Sequence, residues 1–243
     1  MSITVYFFGG VLLLVAIIWR VRTKKWTLYQ QASVLIVTAH PDDETMFFGP
    51  VICSLLDAGV DVHIQCLSIG DACGQGSIRK QEFYASCQVL GVDNSRCYLY
   101  NDPKDLPDSM TAAWNEQLIQ NVVSETIQRL NITAVLTFDE YGISGHANHI
   151  SVYRAVRDLQ LTSVSRYKLS TVNLLRKYCS IFDVVLSCFL NENVLLTPIT
   201  YIAIPFKAMF KHRSQLMWFR YLYLMFSRYM FLNNIDEIVS KYE

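Results

Sequence analysis

The sequence has no excess of charge of either sign. Lysine plus arginine and aspartate plus glutamate each number 21 among 243 residues, so the formal net charge is zero at neutral pH. A nucleic-acid-binding domain carries a basic face that attracts phosphates, and a balanced composition provides no such field. The composition therefore argues against nucleic acid as a partner.

The chain also has no Cys-x-x-Cys pair. Its seven cysteines are an odd number, and several lie within apolar runs, as Cys66 does in the segment 62–67. Zinc ribbons need closely spaced cysteine pairs, and disulfide frameworks use even numbers of cysteines. The pattern predicts reduced, buried thiols in a domain that faces the cytosol.

Outside the amino terminus, no uncharged run reaches the length of a membrane-spanning helix. Residues 3–19 contain no charged side chain, and basic residues follow at positions 20, 22, 24 and 25. This length is near the lower limit for a spanning helix, and the position of the basic residues places the remainder of the chain in the cytosol. Residues 1–19 are therefore predicted to be a transmembrane anchor and residues 20–33 a linker, with a buried core helix as the alternative.

The remaining residues, 34–243, alternate between strand-like and helical patterns. Strand-like runs begin at Val34, Asp61, Cys97 and Ala134, and helical segments follow them. Strands that alternate with helices build a mostly parallel sheet covered by helices. The predicted fold class is therefore α/β, a Rossmann-like mostly parallel sheet with helices on both faces, in one domain preceded by the N-terminal transmembrane helix.

The last third of this domain has a different pattern. Residues 165–205 indicate two or three further strands, interrupted by Pro198 and Pro205. Residues 206–232 form a long aromatic stretch with basic residues, whose uncharged runs are too short to span a bilayer. Two interpretations remain open for this stretch: a helix packed on the domain, or a helix at the membrane surface with its arginines near lipid phosphates.

A histidine and three acidic residues follow the first predicted strand. The segment 39–44 reads Ala-His-Pro-Asp-Asp-Glu. Open α/β folds bind ligands at the carboxyl ends of their strands, and adjacent carboxylates repel one another unless a cation or proton lies among them. Carboxylate plus imidazole is a ligand set of zinc and similar divalent ions. The motif therefore indicates a metal-dependent hydrolase.

A second polar segment, residues 139–149, follows the strand that begins at Ala134. His146 and His149 are three positions apart, so both can face one point on the first turn of a helix. Alone, such a pair is more typical of surface or capping residues. Together with His40 and Asp43 at the same sheet edge, the segment predicts a His/Asp/His metal site with one open position.

Several segments together resemble the PIG-L/LmbE de-N-acetylase family. They are the AHPDDE motif at 39–44, Arg-Lys-Gln-Glu at 79–82, Gly-His-Ala-Asn-His at 145–149, and motifs around His212 and Trp218 that are similar to the eukaryotic branch. The resemblance covers about residues 33–232. It implies an enzyme anchored in the endoplasmic reticulum membrane, with a cytosolic catalytic domain, that deacetylates the glycolipid N-acetylglucosaminyl-phosphatidylinositol in GPI-anchor synthesis.

The resemblance also implies roles for individual residues. His40, Asp43 and His149 would bind a divalent metal ion, for which zinc is preferred from the ligand types while Mn²⁺, Ni²⁺ and Fe²⁺ stay open. Asp42 would be the general base that takes a proton from the attacking water. His146 would stabilise the oxyanion or donate a proton to the leaving amine.

Two substrate contacts are implied in the same way, each with a structural alternative. Arg79 resembles a sugar- or phosphate-contacting arginine, or is a surface residue at a helix start. Asp102 resembles an acid that contacts sugar hydroxyls, or forms a turn with its neighbours. Glu44 is predicted to support the site from the start of a helix.

Two other functions remain as alternatives. One is a LmbE-type deacetylase of another N-acetyl sugar conjugate, against which the anchor and the aromatic carboxyl terminus argue. The other is an inactive scaffold in a membrane complex, against which the presence of every expected site residue argues. The sequence does not indicate protein partners or the oligomeric state.

Overall fold

The computed structural model describes residues 27–102, 104–161, 163–190 and 193–239. The predicted anchor, residues 1–19, and the first part of the predicted linker lie outside these ranges. Within the ranges, no helix combines the length and the apolar character needed to cross a membrane.

Seven strands in the described ranges form one sheet. In chain order they are β1 (Ser33–Thr38), β2 (Asp61–Cys66), β3 (Cys97–Leu99), β4 (Ala134–Thr137), β5 (Ser165–Leu169), β6 (Val194–Leu196) and β7 (Leu232–Glu237). Their spatial order is β3-β2-β1-β4-β5-β7-β6. Strands β1 to β5 are parallel, and β7 is antiparallel to both of its neighbours. The prediction of an α/β fold with a mostly parallel sheet is confirmed.

Ten α-helices lie in the described part of the chain. They are α1 (Asp43–Met46), α2 (Gly49–Asp57), α3 (Gly76–Leu90), α4 (Glu116–Leu130), α5 (Gly142–Gly145), α6 (Ala147–Arg157), α7 (Leu174–Lys177), α8 (Asp183–Phe189), α9 (Ile204–Met209) and α10 (Trp218–Phe226). Short 3₁₀ turns occupy Thr27–Gln30, Asn94–Arg96, Ser180–Phe182, Ile199–Tyr201, Arg213–Gln215 and Arg228–Met230.

Local signals explain the ends of the longer helices. The Asn115 side chain accepts hydrogen bonds from the backbone N–H groups of Gln117 and Leu118 at the start of α4. Asn131 ends this helix in the left-handed conformation, which asparagine tolerates better than most residues. Asparagine caps of this kind satisfy backbone groups that the helix itself leaves unpaired.

β1 and β4 lie at the centre of the sheet. Every residue of both strands is buried, so both faces of the sheet are covered there. Ile36 pairs with Leu136 in parallel register, which brings the segments after the two strands out at the same edge. The strand order runs from β1 toward β2 on one side and from β4 toward β5 on the other. This reversal is the topological switch point at which open α/β sheets bind ligands.

The last strand in chain order within the described residues, β7, is one that the sequence pattern did not predict. β7 has the sequence Leu-Asn-Asn-Ile-Asp-Glu, and asparagine and aspartate are disfavoured in strands. Asn233 is used in tertiary contacts: its Oδ1 accepts from the Val51 N–H at 3.0 Å, and its Nδ2 donates to the Phe47 carbonyl at 2.8 Å. Long-range bonds therefore override the local preference.

The aromatic stretch 206–232 is not one helix, so the prediction of a single helix is wrong. α9 covers only the first residues of this stretch and ends at Met209. A 3₁₀ turn follows, and α10 is a separate helix. The turn is tied to buried acids: His212 Nε2 lies 2.6 Å from Glu44 Oε1, and the Ser214 N–H donates to Glu82 Oε1 at 2.8 Å. These contacts favour a turn where the apolar pattern alone suggests a continuous helix.

The cysteines that the structure describes are free thiols. Cys53, Cys66, Cys87 and Cys97 are buried, whereas Cys73 is exposed. Burial raises the pKa of the Cys53 thiol to about 12, so it stays protonated and unreactive. The prediction of reduced, buried thiols is confirmed for these four positions.

Candidate active site

The segment after β1 forms a tight turn around the Asp43 carboxylate. Asp43 Oδ2 accepts hydrogen bonds from the backbone N–H groups of Ala39 at 3.1 Å and His40 at 2.7 Å. Its Oδ1 lies 3.4 Å from His149 Nε2. Burial alone would raise the pKa of Asp43, but the positive charge of the His149 and His40 rings in their protonated forms, together with the hydrogen bond from the His40 N–H, holds that pKa below the usual value. The carboxylate is therefore ionised at neutral pH.

Asp42, in the same turn, has a backbone conformation that residues other than glycine rarely adopt. Its φ is 107°. The Asp42 N–H donates to Glu44 Oε2 at 3.0 Å, and the carbonyl of Pro41 accepts from Arg79 Nη2 at 2.6 Å. Bonds on both sides thus hold the strained turn. Strain of this kind persists where the surroundings over-determine it, which is common at functional sites.

The segment after β4 presents two histidines at the start of α6. His146 caps this helix, and its Nδ1 accepts a hydrogen bond from the Asn148 N–H at 3.2 Å. His149 Nδ1 lies 3.1 Å from the Gly142 carbonyl oxygen, and its ring stacks on Phe138 at 4.0 Å. Gly142 has a φ of +56°, and a Cβ there would lie 3.0 Å from the His149 Cβ. Only glycine fits this approach without strain.

Hydrogen-bond partners indicate which ring nitrogen of each imidazole has a free lone pair. His149 Nδ1 faces a carbonyl oxygen, so its proton lies there and Nε2 is free. His40 Nε2 faces Asn148 Oδ1 at 3.0 Å and Asp108 Oδ1 at 3.3 Å, so Nδ1 is free. His146 accepts a hydrogen bond at Nδ1, so its proton lies on Nε2. His146 is therefore a donor in the neutral state.

These groups fit a divalent cation. Nitrogens of His40, His146 and His149 lie within 4.8 Å of one another. His149 Nε2 is buried without a hydrogen-bond partner among the described residues, and it faces the ionised Asp43. A buried lone pair beside a carboxylate is stabilised by a shared cation. Because Nε2 of His146 is protonated, the contacts favour His40, Asp43 and His149 as ligands, and this ligand set stays a prediction.

The Asp42 carboxylate lies between two arginines. Asp42 Oδ2 is 3.3 Å from Arg220 Nη2, and Oδ1 is 3.8 Å from Arg79 Nη2. Burial raises the pKa of Asp42 above its usual value despite these two positive charges. A carboxylate with a raised pKa accepts a proton more readily, as a general base must. Arg220 comes from α10 and was not predicted as a site residue.

The His146 imidazole is neutral at neutral pH. Burial, followed by the charges of His149 and His40, lowers the pKa of His146 to about 4. The side chain therefore acts through its Nε2–H as a hydrogen-bond donor. A neutral donor placed in this way can stabilise a carbonyl oxygen that gains negative charge.

Arg79 lines the cavity of the site, whereas Asp102 does not. The cavity has a volume of about 360 Å³. It is lined by the three predicted metal ligands and also by Asp42 and His146. Arg79 Nη1 donates to the Gly70 carbonyl at 2.9 Å and to Asp108 Oδ2 at 3.1 Å. Asp102 instead accepts a hydrogen bond from the Lys104 N–H at 3.1 Å, which is the turn-forming alternative. The loop thus supplies Asp108, an acid that no sequence motif marked.

We expect Asp108→Asn to weaken metal binding about 10- to 100-fold, the usual effect of removing a partner that orients a ligating histidine. Asp108 contacts both His40 and Arg79, so the amide would lose both charge contacts. Asp102→Asn is the matched control and should change metal affinity by no more than about twofold. The full-length variants are first freed of metal with a chelator, and titration with Zn²⁺ then measures both affinities. Equal affinities for the two variants would contradict the assignment of Asp108.

A buried ion pair connects the first motif to the carboxyl-terminal turn. Glu44 Oε1 lies 2.6 Å from His212 Nε2 and accepts from the Ser86 hydroxyl at 2.6 Å. Burial lowers the pKa of His212, but the charge of Glu44 and its hydrogen bond outweigh that effect and raise the pKa above the usual value. Glu44 also holds the Asp42 N–H, so the predicted supporting position of Glu44 has a structural basis.

Glu44→Gln should destabilise the protein by about 3–5 kcal/mol at pH 6, because it leaves His212 without its buried counter-charge. The folded pKa of His212 is raised, so the stabilisation is fully present below the unfolded value of about 6.5 and is lost as the pH rises through the folded value. The difference in the free energy of unfolding between Glu44→Gln and the wild type should therefore become smaller toward pH 9. Urea unfolding in detergent at pH 6 and pH 9 measures it.

Glu82→Gln is the control for this experiment. Glu82 also holds the carboxyl-terminal turn, through the N–H and hydroxyl of Ser214, but within the described ranges it pairs with no histidine. Its effect on the free energy of unfolding should change less between the two pH values than that of Glu44→Gln, because the charge of Glu82 raises the pKa of His212 less than Glu44 does. If the loss of unfolding free energy in Glu44→Gln were the same at pH 6 and pH 9, it would not depend on the protonation of His212.

Comparison with known proteins places these residues in a family context. A family model described as GlcNAc-PI de-N-acetylase matches residues 35–160. The chain is 40% identical over 211 residues to the N-acetylglucosaminyl-phosphatidylinositol de-N-acetylase of Bos taurus, an alignment that covers 84% of this chain and 83% of that protein. It is 37% identical over 213 residues to the probable enzyme of the same name from Schizosaccharomyces pombe, covering 84% and 85%.

Solved structures show the same fold at low sequence identity. The N,N'-diacetylchitobiose deacetylase from Pyrococcus horikoshii superposes with a TM-score of 0.64 at 15% identity, covering 98% of this chain and 93% of that protein. At this identity the likeness supports the fold alone, and the sequence matches carry the family assignment.

Proposed function

The chain belongs to the PIG-L family, and from this we propose that it removes the acetyl group from N-acetylglucosaminyl-phosphatidylinositol. The products are acetate and glucosaminyl-phosphatidylinositol, and the reaction is the second step of GPI-anchor biosynthesis. The observation that carries the proposal is the buried cluster of His40, Asp43 and His149 beside Asp42, in a chain 40% identical to the Bos taurus enzyme.

The ligand types favour zinc as the bound ion. His40 Nδ1, His149 Nε2 and Asp43 Oδ1 are the atoms whose lone pairs are free to hold it. When bound, such an ion supplies Lewis acidity, which polarises an amide carbonyl and makes water a nucleophile at neutral pH.

The remaining chemistry falls to Asp42 and His146. The Asp42 carboxylate accepts a proton from the attacking water as the new carbon–oxygen bond forms. The Nε2–H of His146 donates a hydrogen bond to the acetyl oxygen, which gains negative charge at that moment. Cleavage of the carbon–nitrogen bond then requires a proton on the leaving amine, and Asp42 can return the one that it accepted.

The membrane is the second part of the proposal. We place the anchor of residues 1–19 in the endoplasmic reticulum membrane and the catalytic domain in the cytosol. α10 exposes a row of large apolar side chains, among them Trp218 at 74% and Met225 at 62% exposure. Exposed aromatic and aliphatic side chains on one helix are typical of a surface that contacts lipid.

The activity is tested with the full-length protein in detergent and N-acetylglucosaminyl-phosphatidylinositol as substrate. We expect equimolar release of acetate and free amine, loss of both after chelation, and recovery on addition of Zn²⁺. Free N-acetylglucosamine and N,N'-diacetylchitobiose test the alternative of a deacetylase for other sugar conjugates. Faster hydrolysis of either than of the lipid would favour that alternative, and inactivity on all three would favour the scaffold.

Topology is tested separately in sealed microsomes. A protease-sensitive tag attached after residue 243 should be digested by added protease without detergent, because the catalytic domain faces the cytosol. A lumenal tag on a known membrane protein in the same vesicles should stay intact. Protection of the tag after residue 243 would refute the proposed orientation.

A further inference from the structure

A second cavity, of about 530 Å³, adjoins the candidate active site. Phe47, Ser144 and Arg220 line both cavities, so the two spaces meet along these residues. Among the residues that the structure describes, no acidic side chain lines the second cavity, and its wall is mostly aromatic and aliphatic. A ligand in the active site can therefore extend into a largely apolar space whose charged lining groups, among the described residues, are positive.

Lys177, at the end of α7, supplies part of that charge. Its side chain lines the cavity and is only 9% exposed. Among the described residues it forms no ion pair, and its ammonium lies 5.9 Å from the centre of the Tyr178 ring. Burial, followed by the charge of Arg220, lowers the pKa of Lys177. A buried ammonium without an anion is costly unless a ligand provides one.

Arg220 supplies a second positive group between the two cavities. One end of its guanidinium, Nη2, contacts Asp42 at 3.3 Å, while its Nε is buried and has no hydrogen-bond partner in the described part of the chain. A guanidinium can donate from several N–H groups at once, and phosphate oxygens match its geometry. Arg220 can therefore contact Asp42 and an anion in the second cavity together.

We propose that the second cavity binds the phosphodiester of the substrate, with Lys177 and Arg220 as its cationic contacts. This inference rests on the proposed function, whose substrate carries one phosphodiester between inositol and lipid. The outer wall of the cavity supports it: Phe219, Leu222 and Phe226 are each 47–48% exposed and would face the acyl chains. The scissile amide would lie in the active site, the phosphate beside Lys177, and the lipid at the exposed rim.

The test compares two substrates and three variants of the full chain. The substrates are N-acetylglucosaminyl-phosphatidylinositol and N-acetylglucosaminyl-inositol, which lacks the phosphate. Lys177→Met should lower kcat/KM for the first substrate about 10- to 100-fold, mainly through KM, as expected for loss of a charged contact. It should leave kcat/KM for the second substrate unchanged. Lys177→Arg should restore most of the loss.

Lys207→Met is the matched control, because it removes one positive charge from an exposed position in α9. It should leave kcat/KM for both substrates unchanged, which separates phosphate binding from general attraction to anionic lipid. Glycerophosphoinositol should inhibit the wild type at least tenfold more strongly than it inhibits Lys177→Met. Inorganic phosphate should inhibit the wild type more weakly than glycerophosphoinositol does.

The outcomes distinguish this inference from the proposed function. Equal losses on both substrates, no loss on either, or equal inhibition by inorganic phosphate would overturn the phosphodiester assignment while the deacetylase remains. A wild type that hydrolyses neither substrate overturns the proposed function and the assignment with it.

Discussion

His149→Ala should give a folded protein that binds no metal and has lost its deacetylase activity. His149 offers Nε2 to the site with no competing hydrogen bond from the described part of the chain, while its Nδ1 is held by the Gly142 carbonyl. Alanine removes that lone pair and leaves the predicted site with two ligands. Metal ions contribute several kcal/mol to such reactions, and about 1.36 kcal/mol corresponds to tenfold, so we expect a loss of at least about a thousandfold.

The measurement is metal content per chain by elemental analysis, together with the rate of acetate release. His63→Ala is the matched control. His63 is also buried, in β2, but it pairs with Asp61 at 3.3 Å and stacks on Tyr98 away from the site. The control should keep its metal and its activity. Full metal content in His149→Ala would exclude this residue from the ligand set.

Asp42→Asn should lower kcat about 10²- to 10⁴-fold, the usual contribution of a general base. The amide has nearly the same shape and tolerates a positive φ, so the turn should be retained. Unlike the change at His149, this substitution should leave metal content unchanged, because Asp42 lies outside the predicted ligand set. A base and a ligand are thereby distinguished by one pair of variants.

Asp57→Asn, at an exposed position at the end of α2, serves as the control and should behave as the wild type. Activity is measured as amine release from the glycolipid, and metal content by elemental analysis of the same samples. If Asp42→Asn kept more than a tenth of the wild-type kcat, another group would have to accept the proton. If it lost the metal instead, Asp42 would be a ligand.

The structure brings together most of the predicted site residues, and most of these come soon after the end of a strand. His40, Asp42 and Asp43 come after β1, and His146 and His149 come soon after β4. The carboxyl ends of adjacent parallel strands meet at one edge, so sequence position alone predicts their proximity. Arg79 reaches the same cavity from the first turn of α3.

Other residues of the site could not be predicted in this way. Arg220 and His212 come from the carboxyl-terminal segment, and His212 is 168 positions from its partner Glu44. Asp108 lies in an irregular loop, where no periodic pattern indicates which side chain turns inward. Asp102, in the same loop, carried the family signal but lies in a surface turn. Their positions depend on long-range packing, which local sequence does not encode.

The sequence by itself determined the α/β class, the two polar motifs at strand ends and the family, because periodicity and short spacings are local properties. Only the tertiary structure decided which atom of each histidine carries its proton and which charges surround each carboxylate. The proton of His40 is placed by Asn148 and Asp108, that of His149 by Gly142, and the charge around Asp42 by Arg220. These partners lie on separate segments of the chain, so only folding brings them within hydrogen-bonding distance.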